Sequence, residues 1–252
     1  MLALERRNAI LEKLAVTGKV IVADLSREFG VTEETIRRDL EKLDNEGLAQ
    51  KTYGGAVANH SLNLDLPYKV RQRTNAEAKQ AIALKVAEMI HDGDYLMMDA
   101  SSTTLFITKC IRNKHNITLI TNSIEILMEV AELEDWNVIS TGGVLKTGAL
   151  ALVGANAEKT VRGFHVDIAV CSCKGIDRQF GISDSNEQNA QIKRAMFAAA
   201  KRRILVADHS KFDQSSFVKI SELTEMDTVV TDVCPDAAWT EALADADIEL
   251  IY

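Results

Sequence analysis

The sequence predicts an α/β chain built from two unlike parts, and three observations predict it. Residues 1–57 are short and helix-periodic, ending in a glycine-rich β-like stretch. A polar segment, 58–74, follows and holds Pro67, one of only two prolines. From residue 75 onward, seven short apolar runs alternate with helical segments, the pattern of a mostly parallel sheet covered on both faces. Charge divides the same way. Residues 1–57 carry nine Lys/Arg against ten Asp/Glu, a net of −1, and the remainder 20 against 27, a net of −7. The expected organisation is therefore a head at 1–57, a linker at 58–74 and an α/β domain at 75–252.

Composition narrows the class. Hydrophobic residues make up 46% of 252, enough for a core. No apolar run approaches the roughly 20 residues of a membrane span. The start, "MLALERRNAILEKL", is charged and periodic, without the apolar core of a signal peptide, so the cytoplasm is the expected location. Cys110, Cys171, Cys173 and Cys234 form no Cys-x-x-Cys pair, so neither metal nor disulfide framework is expected. Cys171 and Cys173 alternate on an expected strand and read as buried thiols. A net charge of −8 argues against a non-specific nucleic-acid coat, but not against a local DNA-reading surface.

In the head, Ile10, Leu11 and Leu14 recur at helical spacing up to Gly18. A β-like entry at 20–22 leads to a second helix with Leu25 and Phe29, closed by Gly30. Thr32 is placed to cap a third helix, with Ile36, Leu40 and Leu43 on one stripe. "LAQKTYGGAV" then reads as a hairpin. Three helices, a tight turn and a hairpin make a winged helix-turn-helix.

At 100° per residue the apolar stripe of the third helix spans about 60°, and Arg38 points about 190° from its centre. Glu34 and Lys42 flank it, Arg37 falls at the side of the helix, and Thr32 and Thr35 lie at the N-terminal end, which enters the major groove in such motifs. Arginine pairs with guanine edges or clamps phosphate, and threonine hydroxyls do either more weakly. Lys51 and Tyr53, in the hairpin, are placed to touch the DNA backbone. Taken alone, the arginines are equally a solvated helix face, balanced by Glu33, Glu34, Asp39 or Glu41. The order of elements around them favours operator double-stranded DNA as partner.

In the larger part, ligands are expected at the carboxyl ends of parallel strands. The seven runs are 95–99, 117–121, 137–141, 167–173, 203–208, 227–232 and 248–252. The first ends in Asp99, and Ser101, Ser102, Thr103 and Thr104 follow it into a helix whose free N–H groups suit an anion. Asn122 and Ser123 follow the second run, and Gly142 and Gly143, permitting close backbone approach, the third. Lys174 and Asp177 follow the fourth and Lys211 the fifth, while Lys193 lies on a later helix. Each is individually a cap, a turn or a surface charge; together they describe one polar sheet edge. No Gly-x-Gly-x-x-Gly fingerprint is present, and no cofactor is expected. An enzymatic reading would use Asp177 or Glu187 as base and Lys211 to polarise a carbonyl. No spacing demands catalysis, and a non-enzymatic protein is expected. A third reading makes the head a protein-interaction adaptor.

The stretch "RRNAILEKLAVTGKVIVADLSREFGVTEETIRRDLEKLDNEGLAQKTYGGA", with its T-I-R-R-D-L-x-x-L core, closely resembles the N-terminal domain of the DeoR family of bacterial transcription regulators. "DGDYLMMDASSTT", "TNS", "TGG", "GISD", "KRAMFAAAKR" and "ADHSKF" resemble its C-terminal sensing domain. The resemblance implies a fold similar to ribose-5-phosphate isomerases and CoA-transferase-like proteins, and a phosphorylated sugar or related metabolite as effector. It implies an oligomeric transcriptional regulator, usually a repressor of a carbohydrate-metabolism operon, with Asp99, Ser102, Thr103 and Thr104 in a phosphate loop. Lys174, Asp177, Lys193 and Lys211 would line the pocket. Two positions depart from the family's common pattern. Lys51-Thr52-Tyr53 stands in place of Arg-x-His, and Ser102 in place of a glycine.

Overall fold

The computed structural model describes residues 1–58 and 66–252. These divide into two units, Met1–Thr74 and Asn75–Tyr252. The first contains α1 (Ala3–Thr17), β1 (Lys19–Ile21), α2 (Val22–Phe29), α3 (Glu33–Asn45), β2 (Ala49–Thr52), β3 (Gly55–Ala58) and α4 (Tyr68–Arg73). Gly30 closes α2 with φ 64°, a left-handed turn that a side chain would strain. Within that turn the Ser26 hydroxyl donates to Val31 O at 2.6 Å. Thr32 caps α3 as expected, its Oγ1 accepting from Thr35 N at 3.2 Å. β2 and β3 form the antiparallel wing, and β1 joins it in the order β1-β3-β2.

Ile10, Leu14, Leu25, Ile36, Leu40 and Leu43 form the core of this unit. One ionic contact interrupts it. Arg6 Nε on α1 donates to Asp39 Oδ2 on α3 at 2.5 Å, with both side chains only 9% exposed. Asp39 therefore does not balance the arginines of its own helix; it ties α3 to α1.

The segment expected as a linker, 58–74, departs from that description. Ala58 ends β3, residues 59–65 lie outside the described residues, and α4 follows Pro67. Val70 is fully buried in the core of the first unit, and Arg73 Nη1 meets Glu12 Oε1 at 3.0 Å. The polar composition hid a short helix whose apolar residues Tyr68 and Val70 are both buried.

The second unit begins with α5 (Ala76–Met89), then β4 (Tyr95–Met98), α6 (Ser102–Cys110), β5 (Thr118–Thr121), α7 (Ile124–Val130) and β6 (Asn137–Ser140). A hairpin of β7 (Val144–Lys146) and β8 (Ala151–Val153) precedes α8 (Ala155–Arg162) and β9 (Val166–Ser172). Then come β10 (Gly175–Asp177), β11 (Gly181–Asp184), α9 (Glu187–Ala198), β12 (Ala200–Val206), β13 (Val218–Ser221), β14 (Thr228–Val230), α10 (Ala237–Asp245) and β15 (Glu249–Ile251). All seven expected runs supply strands of one parallel sheet, ordered β15-β14-β12-β9-β4-β5-β6.

Both faces of the sheet are covered. Met97, Ala169, Cys171, Leu205 and Val229 share a core with Val161 of α8, Met196 of α9 and Trp239 of α10. The intervening Leu96, Met98, Val170, Ile204 and Val206 are also fully buried, on the side where α6 meets β9 and α5 meets β14. Cys171 and Cys173 both belong to the first of these cores, and burial pushes the Cys173 thiol up to about 12. A small antiparallel sheet, β10-β11-β13, was not anticipated: its strands are three or four residues long.

Asp39→Ala strands a buried guanidinium and is expected to destabilise the first unit by about 3–5 kcal/mol in urea denaturation. The paired Arg6→Met/Asp39→Leu variant should recover most of that loss. An Asp39→Ala protein as stable as wild type would show that the pair contributes nothing.

Candidate functional site

The outward face of α3 carries the cations that the sequence placed there. Arg37, Arg38 and Lys42 are exposed, while Ile36, Leu40 and Leu43 are buried. Arg37 Nη2 meets Glu33 Oε2 at 2.7 Å and Arg38 Nε meets Glu34 Oε1 at 3.3 Å, both one turn apart. Such exposed pairs contribute only about 0.3–0.5 kcal/mol, so either arginine is released cheaply to another anion. Thr32 and Thr35 share a hydroxyl contact of 2.9 Å at the start of α3. Lys51 is exposed on the wing, its backbone N–H donating to Asp44 Oδ1 at 2.9 Å, and Tyr53 is fully exposed at the wing turn.

In the second unit, strand order reverses between β4 and β9: β5 and β6 lie to one side, β12, β14 and β15 to the other. The crevice beyond the carboxyl ends of strands at such a switch point is the usual ligand position in open α/β sheets. Asp99 sits there, 1% exposed and bonded on both oxygens. Oδ1 accepts from Ser101 N and from the Thr104 hydroxyl, each at 3.2 Å. Oδ2 accepts from Ser172 N, across the switch point on β9, at 3.2 Å.

Lys193 of α9 completes the junction. Its ammonium lies 2.6 Å from Asp184 Oδ2 and 3.2 Å from Asp99 Oδ2, and donates to Ser172 O at 2.7 Å. Burial works against its charge, but Asp184 and Asp99 outweigh that and hold its pKa above the ordinary lysine value. Burial likewise opposes the charge of Asp184, and Lys193 overcomes it, keeping that carboxyl below 3.8. Lys193 was expected to face an effector; its three N–H groups are instead taken up by the protein.

Several other expected residues serve as helix caps or internal contacts. The Ser101 and Ser123 hydroxyls cap α6 and α7, accepting from Thr104 N at 3.1 Å and Ile126 N at 3.2 Å. The Thr104 hydroxyl turns inward, to Asp99 O at 2.8 Å. Ser102 and Thr103 begin α6, at the anion-favouring end of the helix. Ser102 takes helical backbone angles without the positive φ that would require the family's glycine. Asn122 Nδ2 donates to Leu152 O at 3.0 Å, while its buried Oδ1 has no partner among the described residues.

The remaining expectations fare unevenly. At Gly143 (φ 107°) a Cβ would stand 2.6 Å from Val153 O, so its close approach is to β8 backbone, whereas a Cβ at Gly142 would meet nothing within 4 Å. Lys174 lies near enough to Asp184 to favour its charge. Asp177 is at the far end of the β10–β11 hairpin, spent on Phe180 N and Gln179 N at 2.7 and 2.8 Å, and does not join the cluster. Glu187 is exposed while Lys193 is buried, so the two face different ways.

Four buried charged groups escaped the sequence reading: Asp184, Asp208 and Lys79 in the second unit and Arg6 in the first. Burial opposes the charge of Asp208, but Lys211, the Ser210 hydroxyl and Lys79 hold its carboxyl below the ordinary value. A usable signal existed, since "RILVAD" ends in aspartate as "YLMMD" does.

A winged helix-turn-helix with cations outward, joined to a doubly covered parallel sheet with a buried ionic cluster at its switch point, defines a two-part DNA-binding transcription regulator. Residues 6–62 match the family described as the DeoR-like helix-turn-helix domain, and 74–233 that of the DeoR C terminal sensor domain. The chain belongs to the DeoR family, whose members regulate transcription rather than catalyse a reaction. It is 37% identical over 250 residues to an uncharacterised HTH-type transcriptional regulator, YulB, of Bacillus subtilis (strain 168), covering 99% of this chain and 96% of that protein. It is 30% identical over 246 residues to the glycerol-3-phosphate regulon repressor of Escherichia coli (strain K12), covering 98% and 97%. Among solved structures, ribose 5-phosphate isomerase A of Methanocaldococcus jannaschii aligns with a TM-score of 0.40 at 15% identity, over 55% of each chain. Among the described residues, no helix is long and apolar enough to cross a membrane.

Lys193→Met leaves two carboxylates buried without their cation and is expected to cost about 3–5 kcal/mol. The sign of the pH dependence should also change. In the wild type, the lowered pKa of Asp184 gives stability that is present above about pH 4 and lost as pH falls below it. Without Lys193 burial is left to push the Asp184 carboxyl upward, so stability should fall as pH rises from about 4 to 7. Urea denaturation at both ends of that range reads the slope; parallel profiles for the two proteins would contradict this account.

Proposed function

We propose that the protein is a repressor of a carbohydrate-metabolism operon, released from its operator by a phosphorylated sugar or related polyol phosphate bound at the β4–β9 sheet edge. The observation that carries this reading is the coexistence of a cation-bearing face on α3 with an anion-favouring helix start, Ser102–Thr103, at the switch point. Thr32, Thr35, Arg37, Arg38 and Lys42 meet the major groove, and Lys51 and Tyr53 the DNA backbone. The effector phosphate is held by the first turn of α6 with Lys174 and Lys211, while Asn122 and the Gly142 turn bound its other end. Asp99 and Lys193 keep this framework in place rather than touching the ligand. The E. coli relative is described by its name as a repressor of a glycerol-3-phosphate regulon, which supports a small phosphate ester as effector. Two recognition helices on two half-sites require at least a homodimer, acting in the cytoplasm.

Arg38→Ala removes a side chain that is 77% exposed and paired, among the described residues, only with Glu34, so the fold should be unchanged. Operator binding should weaken by about 1–3 kcal/mol if Arg38 reads a base, and discrimination at that base pair should relax. A gel shift in which this variant binds as wild type removes Arg38 from the interface. For the sensor, a thermal-shift screen should find a phosphorylated sugar that raises the melting temperature and also lowers operator affinity. Turnover of any compound in that screen would overturn the regulatory reading of the cleft.

A further inference from the structure

Asn75 opens the second unit in the left-handed region, with φ 52° and ψ 39°. Its carbonyl starts α5 by accepting from Lys79 N at 3.1 Å. The side chain does not cap that helix. Nδ2 donates instead to Asp208 Oδ1 at 3.1 Å and to Ser210 Oγ at 3.3 Å, 133 and 135 residues later in the chain. Asp208 is 3% exposed and also accepts from Ser210 N at 3.1 Å and from the Ser210 hydroxyl. Lys211 and Lys79 supply the neighbouring positive charge. One carboxylate thus gathers the start of α5, the turn after β12, and Lys211.

The preceding residue is anchored elsewhere. The N–H and the hydroxyl of Thr74 both donate to Val70 O at 3.0 Å, and Val70 belongs to the core of the winged-helix unit. A single peptide bond therefore joins a residue fixed in the head to a residue fixed on Asp208. An anion arriving beside Lys211 competes with Asp208 for that positive charge. The carboxylate must then rely more on its remaining donors, Asn75 among them, and the first residue of α5 feels the change.

We propose that Asn75 is the positioning residue that couples the sensor to DNA binding: its amide, held by Asp208 and Ser210, transmits occupancy at Lys211 to the winged-helix head. This rests on the reading of that sheet edge as the effector site. A ligand that favours one arrangement of these bonds changes operator affinity, and operator DNA changes ligand affinity by the same factor.

Asn75→Gly tests it, because glycine keeps the left-handed backbone and deletes only the amide. Operator affinity of the full chain is measured by fluorescence anisotropy on its own upstream DNA. Each measurement is made without additive and with glycerol 3-phosphate, glucose 6-phosphate, ribose 5-phosphate, N-acetylglucosamine 6-phosphate or inorganic phosphate. In the wild type, the active compound should shift the operator Kd by about tenfold; in Asn75→Gly the ratio should fall within about twofold of one while the compound still binds. Full retention of the wild-type ratio overturns the proposal. If no compound moves the wild type, the effector reading falls, and the additive-free arm still decides the coupling. Asn75→Gly must then change operator Kd by about threefold or more at unchanged melting temperature; equality with wild type overturns it. Ser210→Ala, which deletes one of the two acceptors, should give an intermediate ratio and serves if the glycine variant fails to fold.

Discussion

The second unit is organised around one ammonium group. Lys193 reaches from α9 to the point where strand order reverses and is held there by Asp184, Asp99 and Ser172 O. Two like charges buried side by side would repel and desolvate at high cost; one cation between them converts that cost into a fixed geometry. The loop entering α6, the end of β9, the end of β11 and the body of α9 all meet at this contact. Any ligand site at this edge inherits its shape from it.

Among its described residues, the first unit uses the same device once. Arg6 and Asp39 form the ionic contact within an otherwise apolar core, and they join the helix that carries the outward cations to the helix that opens the chain. Buried pairs are weak as sources of stability and strong as specifiers of arrangement, because displacing either partner leaves a charge unsolvated. On the opposite face of α3, Arg37 and Arg38 make only exposed pairs with their own helix, contacts that salt or another anion readily replaces. The same helix thus carries one charge that is locked and others that are available.

At the sheet edge, the division between structural and ligand-facing groups follows hydrogen-bond satisfaction. Ser101, Ser123 and Thr104 spend their hydroxyls on helix caps and on Asp99, as short polar side chains before helices usually do. Lys193 spends its protons within the protein. Around them lie the first turn of α6, Lys174 near Asp184, Lys211 near Asp208, and the buried Asn122 Oδ1, which has no partner among the described residues. A sheet edge of this composition suits the anionic, hydroxyl-bearing effector proposed above.

By itself the sequence determined the seven parallel strands, the three helices and wing of the head, and the outward direction of Arg37 and Arg38. Periodicity and near-continuous apolar runs are local signals, and burial on both faces of a sheet leaves little freedom in how they are used. Tertiary structure alone decided which polar residues work for the protein and which remain for a ligand. Asp39 paired across the core rather than along its helix, Lys193 turned inward between two carboxylates, and a polar connecting segment yielded α4 and buried Val70. The two ionic outcomes depend on partners 33 and 9 residues away, and a charge's role is set by what lies within a few ångströms of it, a distance that sequence order does not encode.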